Sequence, residues 1–267
     1  MVPSLIGIIG LTLVPLTAAV VGGVIAAFRP PDRRQQSYVQ HFAAGAVFAA
    51  TTSELLPAIE PRDPRIVLVG FALGIGVMLT LRTVSTWIEG EFEDESSGGV
   101  LRAGVMLIVN TLSPRIEREL EDGWAGGALG LLTIVGVDVT IDGLLIGIAF
   151  ATETGGILLT ISLSVEILFL GLSIVASMSE TASRTAAIAA TTGIGLLLPI
   201  SAVVGSLLLS EATQTIQTGF LAFGSIALLY LVTEELLAEA HEAFESSGAA
   251  GVFFSGFGFL FVLEMIS

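Results

Sequence analysis

The chain lacks cysteine and lysine, and it carries little charge of either sign. All ten basic residues among the 267 are arginine, and 13% of the residues are charged, which is about half the share of a typical soluble domain. The absence of cysteine excludes disulfides and thiolate metal ligands. The net charge of −15 argues against nucleic-acid binding, which needs a basic surface.

Apolar residues fill most of the chain, 53% of it, and the mean hydropathy is +0.91. Because about 20 apolar residues cross a bilayer core as a helix, the pattern predicts a single all-α integral membrane domain over residues 1–267. The eight predicted transmembrane helices are 4–28, 38–59, 66–89, 125–152, 155–178, 182–210, 214–241 and 249–266. The first segment lacks a basic start and a small-residue cleavage site, so we interpret it as a spanning helix and not as a signal peptide.

The arginines fall unequally on the two predicted sides. Seven lie in the first loop, the long loop 90–124 and the loop before the sixth helix, whereas only Arg62 and Arg65 lie opposite. The positive-inside rule then predicts a cell-membrane protein with both termini outside the cell. The seven are Arg29, Arg33, Arg34, Arg102, Arg115, Arg118 and Arg184.

The loop 90–124 begins with an acidic, flexible stretch. Its composition favours a solvated cytoplasmic linker, with a cation-attracting or sensing loop as the alternative. Residues 100–112 are too few to span a bilayer and predict an interfacial or docked helix. The acidic, lysine-free composition suits a high-salt cytoplasm such as that of haloarchaea.

Three carboxylates lie near the middle of two neighbouring apolar segments: Asp138, Asp142 and Glu166. Ionisable groups are costly at bilayer depth, so they normally face a bundle interior or a watery cavity. Asp138 and Asp142 are four residues apart and therefore share one face of a helix. With no Lys or Arg nearby in sequence, the three acids would repel one another unless protonated or neutralised by a cation. The pattern predicts either a cation site or a shared-proton cluster that holds the helices together.

Three segments resemble a known transporter family. The second helix contains HFAAGAVFAATTSELLPAIE at 41–60, the seventh contains AFGSIALLYLVTEELLAEAHE at 222–242, and the fourth contains Asp142–Gly143 followed by LLIG. Together they resemble the ZIP (Zrt/Irt-like protein) family of divalent-metal transporters, nearest its prokaryotic GufA-like branch. The resemblance covers most of the chain. It implies a 3+2+3 bundle in which an inverted repeat relates helices one to three with six to eight, and it leaves a homodimer open.

The family's fourth-helix string, His-Asn-x-Pro-Glu-Gly, is altered here. Aligned with it are Asp138, Val139, Ile141, Asp142 and Gly143. The histidine and the glutamate of the family's primary site have both become aspartate, so these two positions remain polar.

The family's fifth- and sixth-helix motifs are altered as well. Aligned with them are Glu166, Ile167, Phe169, Leu170 and Gly171, and then Leu198 and Pro199. The resemblance therefore implies that the primary site is kept by Asp138, Asp142 and Glu166. The second metal position has become aliphatic at Val139, Ile167, Leu170 and Leu198. We expect one central ion.

The resemblance also suggests carboxylates at both ends of the route. Glu60 and Glu264 align with outer entrance carboxylates, with Glu54 deeper in the helix; alternatively, these acids solvate the membrane edge. At the cytoplasmic end, Glu235, Glu239 and His241 are the candidate exit residues. A solvated helix end would explain them equally well.

Two further polar residues lie near the predicted cytoplasmic side. Arg82 either snorkels to that surface or pairs with Glu234 or Glu235 as a counter-ion at the exit. His41, at the start of the second helix, is interpreted as an interface residue.

The expected function is import of a divalent metal ion into the cytoplasm through one central carboxylate site in the lipid bilayer. The family favours Zn²⁺, whereas an all-oxygen site favours harder ions such as Mn²⁺ or Fe²⁺; Co²⁺ and Cd²⁺ stay open. The alternative is a ZIP-fold metal sensor or scaffold that does not transport. An aspartic protease is disfavoured, because Asp138 and Asp142 lie on one helix, so no enzymatic activity is expected.

Overall fold

The structure is a computed structural model that describes residues 5–91, 127–152, 156–178, 183–244, 246 and 248–266. Within these ranges every regular element is a helix. Beyond Glu91, the predicted loop 90–124 and its interfacial helix lie outside the described residues.

Eight long helices follow one another along the described chain. They are α1 (Leu5–Phe28), α2 (Arg33–Ile59), α3 (Pro64–Glu91), α4 (Gly127–Ala151), α5 (Ile157–Met178), α6 (Arg184–Ser210), α7 (Gln214–Ala243) and α8 (Ala249–Ile266).

These helices agree with an all-α membrane fold. In the described part of the chain, seven of them, all except α4, are long and apolar enough to cross a bilayer. The fourth, α4, is 25 residues long. The class predicted from the apolar runs is therefore confirmed, while the count of eight spans stays a prediction.

The start of α2 lies five residues before the predicted position of 38. Asp32 caps the helix, because its Oδ1 accepts the Gln35 N–H at 2.7 Å and the Gln35 side chain accepts the Asp32 N–H at 3.2 Å. This reciprocal pair is a capping box. It extends the helix through a polar turn that a search for apolar runs does not include.

Two helices contain a π-helical turn that the sequence did not predict. In α2 the turn covers Thr51–Leu55, and in α7 it covers Leu231–Leu236. Such turns are rare and often occur at functional sites. Both include carboxylates, Glu54 in α2 and Glu234 with Glu235 in α7.

The most extensive helix contacts join α1 with α5, α4 with α6, α2 with α8, α2 with α7, and α3 with α7. Glycine permits the close approach of α4 to α6. A Cβ at Gly143 would overlap Ser201 Oγ and the Leu198 carbonyl oxygen. In the α5–α1 pair, a Cβ at Gly171 would overlap the Ala19 carbonyl oxygen. Small residues at such contacts allow backbones to pack closely in membrane helices.

Gly143→Ala tests this packing against a matched change in the same helix, Gly136→Ala. At Gly136 the added Cβ would meet only Leu197 Cδ1, at 3.4 Å, so we expect unchanged or slightly raised stability there. At Gly143 we expect a loss of about 1–3 kcal/mol, the usual cost of overpacking. Thermal unfolding in detergent measures both, and equal melting temperatures would contradict the close α4–α6 contact.

Candidate metal centre

Asp138, Asp142 and Glu166 meet inside the bundle. Asp138 and Asp142 come from the middle of α4 and Glu166 from the middle of α5, and one oxygen from each lies within 4.8 Å of the others. Asp142 is 1% exposed and Glu166 2%, while Asp138 is half-buried. Among the described residues they form one group of three potential ligands. The structure thus brings together the three acids that were singled out as a central site.

Two oxygens of this carboxylate trio have no hydrogen-bond partner. Asp142 Oδ2 and Glu166 Oε2 are both buried and unpartnered, although buried polar atoms in folded proteins are almost always bonded. Buried oxygens without a hydrogen-bond partner, in a group of three adjacent acids, are suited to binding a cation. The donor set is composed only of carboxylate oxygens, the ligands of hard divalent ions.

The hydroxyl groups beside the trio donate to their own helices. Thr140 Oγ1 donates to the Gly136 carbonyl at 2.6 Å, and Ser162 Oγ donates to the Leu159 carbonyl at 2.9 Å. Their protons are therefore not available to the carboxylates. Each hydroxyl oxygen still has lone pairs that can coordinate a cation or accept a hydrogen bond from a water bound to it.

An acidic layer of α7 faces the trio from one side. Glu235, in the π-helical turn, acts electrostatically on all three carboxylates, and Glu239 acts on Asp138. Both α7 side chains are exposed. The predicted exit residues Glu235 and Glu239 are therefore neighbours of the centre, and negative charge continues from the trio to the end of α7.

Arg82 of α3 joins this layer. Its Nη1 lies 2.6 Å from Glu234 Oε2, with both side chains about half exposed, and its charge also acts on Glu235. Of the two alternatives for Arg82, the pairing with Glu234 is present. An exposed pair of this kind contributes only about 0–1 kcal/mol to stability, so its main effect is on the local charge.

His41 was predicted to be an interface residue, and that interpretation is wrong. His41 is 2% exposed, and its ring packs against that of His241 with centroids 5.0 Å apart. The early start of α2 explains the difference, because it places His41 in the third turn of the helix, beside the end of α7. Gln40 next to it donates from Nε2 to Glu239 Oε2 at 2.7 Å.

At the opposite end of the bundle, Glu54 caps α5. Its carboxylate accepts the N–H of Gly156 and, at 2.7 Å, that of Leu159. A carboxylate is favourable there because the first N–H groups of a helix lack partners within the helix. Glu264 of α8 is close enough to act on Glu54, and Glu60 is exposed at the end of α2. The entrance role of Glu60 and Glu264 stays a prediction.

The positions aligned with a second metal are aliphatic and packed. Val139, Ile167 and Leu198 are at most 2% exposed, and Leu170 packs against the same core. They offer no ligand atom. The three acids form a group that could hold a metal ion, and the expected single ion stays a prediction.

No protein-family model matches the chain, and no curated protein matches it. The functional argument therefore depends on the geometry and chemistry of the site.

The capping role of Glu54 can be tested by Glu54→Ala, with Glu60→Ala, at the exposed residue directly after α2, as the control. Loss of the cap should destabilise the first turn of α5 by about 0.5–2 kcal/mol and so accelerate hydrogen exchange at the Gly156 and Leu159 amides. Glu60→Ala should leave that exchange unchanged. Equal exchange in all three proteins would show that Glu54 does not hold α5.

Proposed function

We propose that this protein transports a divalent metal cation across the membrane and binds it between Asp138, Asp142 and Glu166. The observation that carries the proposal is the pair of buried, unpartnered oxygens at Asp142 Oδ2 and Glu166 Oε2. A purely structural cluster would be expected to satisfy these atoms internally. A cation would satisfy both oxygens and offset the repulsion among the acids.

The position of the trio supports transport rather than storage. The trio lies midway along α4 and α5, and an ionisable group at such a depth in a membrane protein normally marks a functional site. On one side, Glu235 and Glu239 extend negative charge to the end of α7; on the other, Glu54 and Glu264 lie close together. Acidic groups before and after a buried site concentrate cations and provide successive ligands. We propose the α7 end as the exit and the Glu54 end as the entrance.

The distribution of arginines indicates which end of the route is cytoplasmic. The end of the bundle that holds the start of α2 and the start of α6 carries Arg33, Arg34 and Arg184, while the other end carries Arg62 and Arg65. The positive-inside rule favours the first end in the cytoplasm. The proposed transport is therefore import across the cell membrane, with both termini outside.

The pairing of helices supports an inverted repeat. Exchanging α1 with α6, α2 with α7, α3 with α8 and α4 with α5 converts the α1–α5 contact into α6–α4 and the α2–α8 contact into α7–α3. All four are among the most extensive contacts of the bundle, and the exchanged helices α2 and α7 both contain a π-helical turn. Repeats of this kind surround a midplane site in many transporters. We accordingly propose the ZIP-like 3+2+3 arrangement.

The donor set limits the class of cargo. Three carboxylates without nitrogen or sulfur suit Mn²⁺, Fe²⁺ and other hard ions, and they also bind Zn²⁺ at about 2.0–2.2 Å. The proposed cargo is a divalent ion of this range.

A second candidate, a metal sensor or scaffold that does not transport, is favoured by one observation. Val139 and Ile167, which directly follow Asp138 and Glu166 in the chain, pack with Leu198 in one buried aliphatic core. Such packing would retain a bound ion as a structural element. A transporter and a sensor would both bind the ion, but only the transporter would move it across the membrane.

Proteoliposomes that contain a metal-sensitive fluorescent dye distinguish the two candidates. The wild type should admit Zn²⁺ or Mn²⁺. Asp142→Asn should reduce the initial rate of metal uptake at least about tenfold, because it replaces a charged carboxylate ligand with a neutral amide. Asp63→Asn is the matched control, since Asp63 is exposed in the α2–α3 connection. Binding by the wild type without flux of Zn²⁺, Mn²⁺, Fe²⁺, Co²⁺ or Cd²⁺ would favour the sensor.

Metal binding should also stabilise the fold. At about 100 times the dissociation constant, a bound ion adds about 2.7 kcal/mol of stability, so the melting temperature in detergent should rise with metal concentration. With Mn²⁺, an ion that suits carboxylate ligands rather than imidazole, Glu166→Gln should abolish this rise, and Glu211→Gln, at the exposed end of α6, should retain it. A cluster that only holds the helices together would give no metal-dependent rise in the wild type.

A further inference from the structure

We propose that His41 and His241 form a second metal site, built on nitrogen, at the α7 end of the bundle. This site differs in chemistry from the all-oxygen centre of the proposed function. The class of ligand is a borderline divalent ion, Zn²⁺ or Co²⁺, which imidazole nitrogen binds well, in contrast to Mg²⁺ and Ca²⁺.

The hydrogen bonds of the two rings identify their free atoms. His41 Nδ1 lies 2.8 Å from the Ser37 carbonyl oxygen, and His241 Nδ1 lies 2.5 Å from the Leu237 carbonyl oxygen. Because a carbonyl only accepts, each Nδ1 carries the proton, and each neutral ring keeps its lone pair on Nε2. A backbone carbonyl on the second ring nitrogen is also the usual support of a metal-binding histidine.

The separation of the rings fits a shared ion. An imidazole nitrogen binds zinc at about 2.0–2.1 Å and the ring centre lies about 1 Å further, so two tetrahedral ligands place their ring centres about 5 Å apart. The observed distance is 5.0 Å, at an interplanar angle of 62°. The two histidines of the chain, on helices 200 residues apart in sequence, thus meet at the spacing that one ion requires.

Hydrogen bonds around the pair hold its two helices together. Ser37 Oγ donates to the Phe244 carbonyl at 2.9 Å, which ties the first turns of α2 to the end of α7. Gln40, next to His41 in the chain, donates from Nε2 to Glu239 Oε2 of α7 at 2.7 Å, while Gln40 Oε1 is buried and unpartnered. His241 is exposed, so an ion can reach the site from solution.

Two protein ligands, with water in the other positions, make a labile site. An ion that leaves the central carboxylates through the Glu235–Glu239 layer would next meet the histidine pair. Lability is what an exit position requires, since an ion must leave as readily as it enters. This placement on the route rests on the proposed function, whereas metal binding by the pair does not.

Titration of the purified protein with Co²⁺ tests the site directly. In an Asp142→Asn/Glu166→Gln background that lacks the central site, visible absorption of tetrahedral Co²⁺ should appear and Zn²⁺ should displace it. His241→Gln should weaken Co²⁺ binding at least about tenfold, since even outer-shell partners of metal ligands contribute roughly 10–100-fold. The binding of Mg²⁺ should not change.

The control and the second variant separate binding from folding. Ser37→Ala removes the contact with Phe244 but keeps both rings, so it should retain the Co²⁺ spectrum. His41→Gln should weaken binding as much as His241→Gln does, and the double variant should lose no more than either single variant. Unchanged Co²⁺ affinity in His241→Gln, or no Co²⁺ spectrum in the background protein, would overturn the proposal.

Transport measurements keep this inference distinct from the proposed function. Histidine-dependent Co²⁺ binding without any flux would retain the second site and contradict transport. Normal metal flux together with unchanged Co²⁺ binding in His241→Gln would support transport and contradict the second site.

Discussion

The repulsion among three carboxylates in an apolar bundle is the constraint on which the rest of the site depends. Asp142 and Glu166 are almost fully buried, and each keeps an oxygen without a partner. Among the described residues, the charged neighbours that act on the trio are themselves acids, Glu235 and Glu239. Burial of an unneutralised charge is among the most costly features a fold can contain. The proposed cation would balance these groups and would give a membrane protein a reason to retain them.

The packing around the trio keeps the acids in position. Gly143 lets α4 approach α6, and Gly171 lets α5 approach α1, so the two helices that carry the trio are held from outside the site. Glu54 fixes the first turn of α5 from the π-helical turn of α2. Changes in α1, α2 or α6 can therefore alter the relative position of Asp142 and Glu166, which is the kind of coupling that an alternating-access transporter needs.

The sequence predicted the features that depend on composition and periodicity. The apolar runs located the long helices, and the spacing of Asp138 and Asp142 placed both on one face of α4. The position of Glu166 in the middle of the next apolar segment, supported by the resemblance to ZIP transporters, selected it as their partner on α5, and the three side chains do meet. The same runs missed the start of α2, because its first turn is polar and forms through a capping box. They also missed both π-helical turns, which leave no distinctive composition.

Contacts between distant segments were the least predictable part. His41 and His241 are far apart in sequence, and only the packing of α2 against the end of α7 brings their rings together. Glu54 could equally have faced solvent, and its role as the cap of α5 depends on where that helix begins. Local patterns cannot supply such information, because each of these partners lies about 100 or more residues away.

The central claim is that one divalent ion binds between Asp138, Asp142 and Glu166. Anomalous diffraction from crystals of the protein soaked in Mn²⁺ or Zn²⁺ tests it most directly. The account predicts an anomalous peak within about 2.0–2.2 Å of an oxygen from each carboxylate, and no such peak in Asp142→Asn. Well-ordered carboxylates with no anomalous density between them at saturating metal would contradict it.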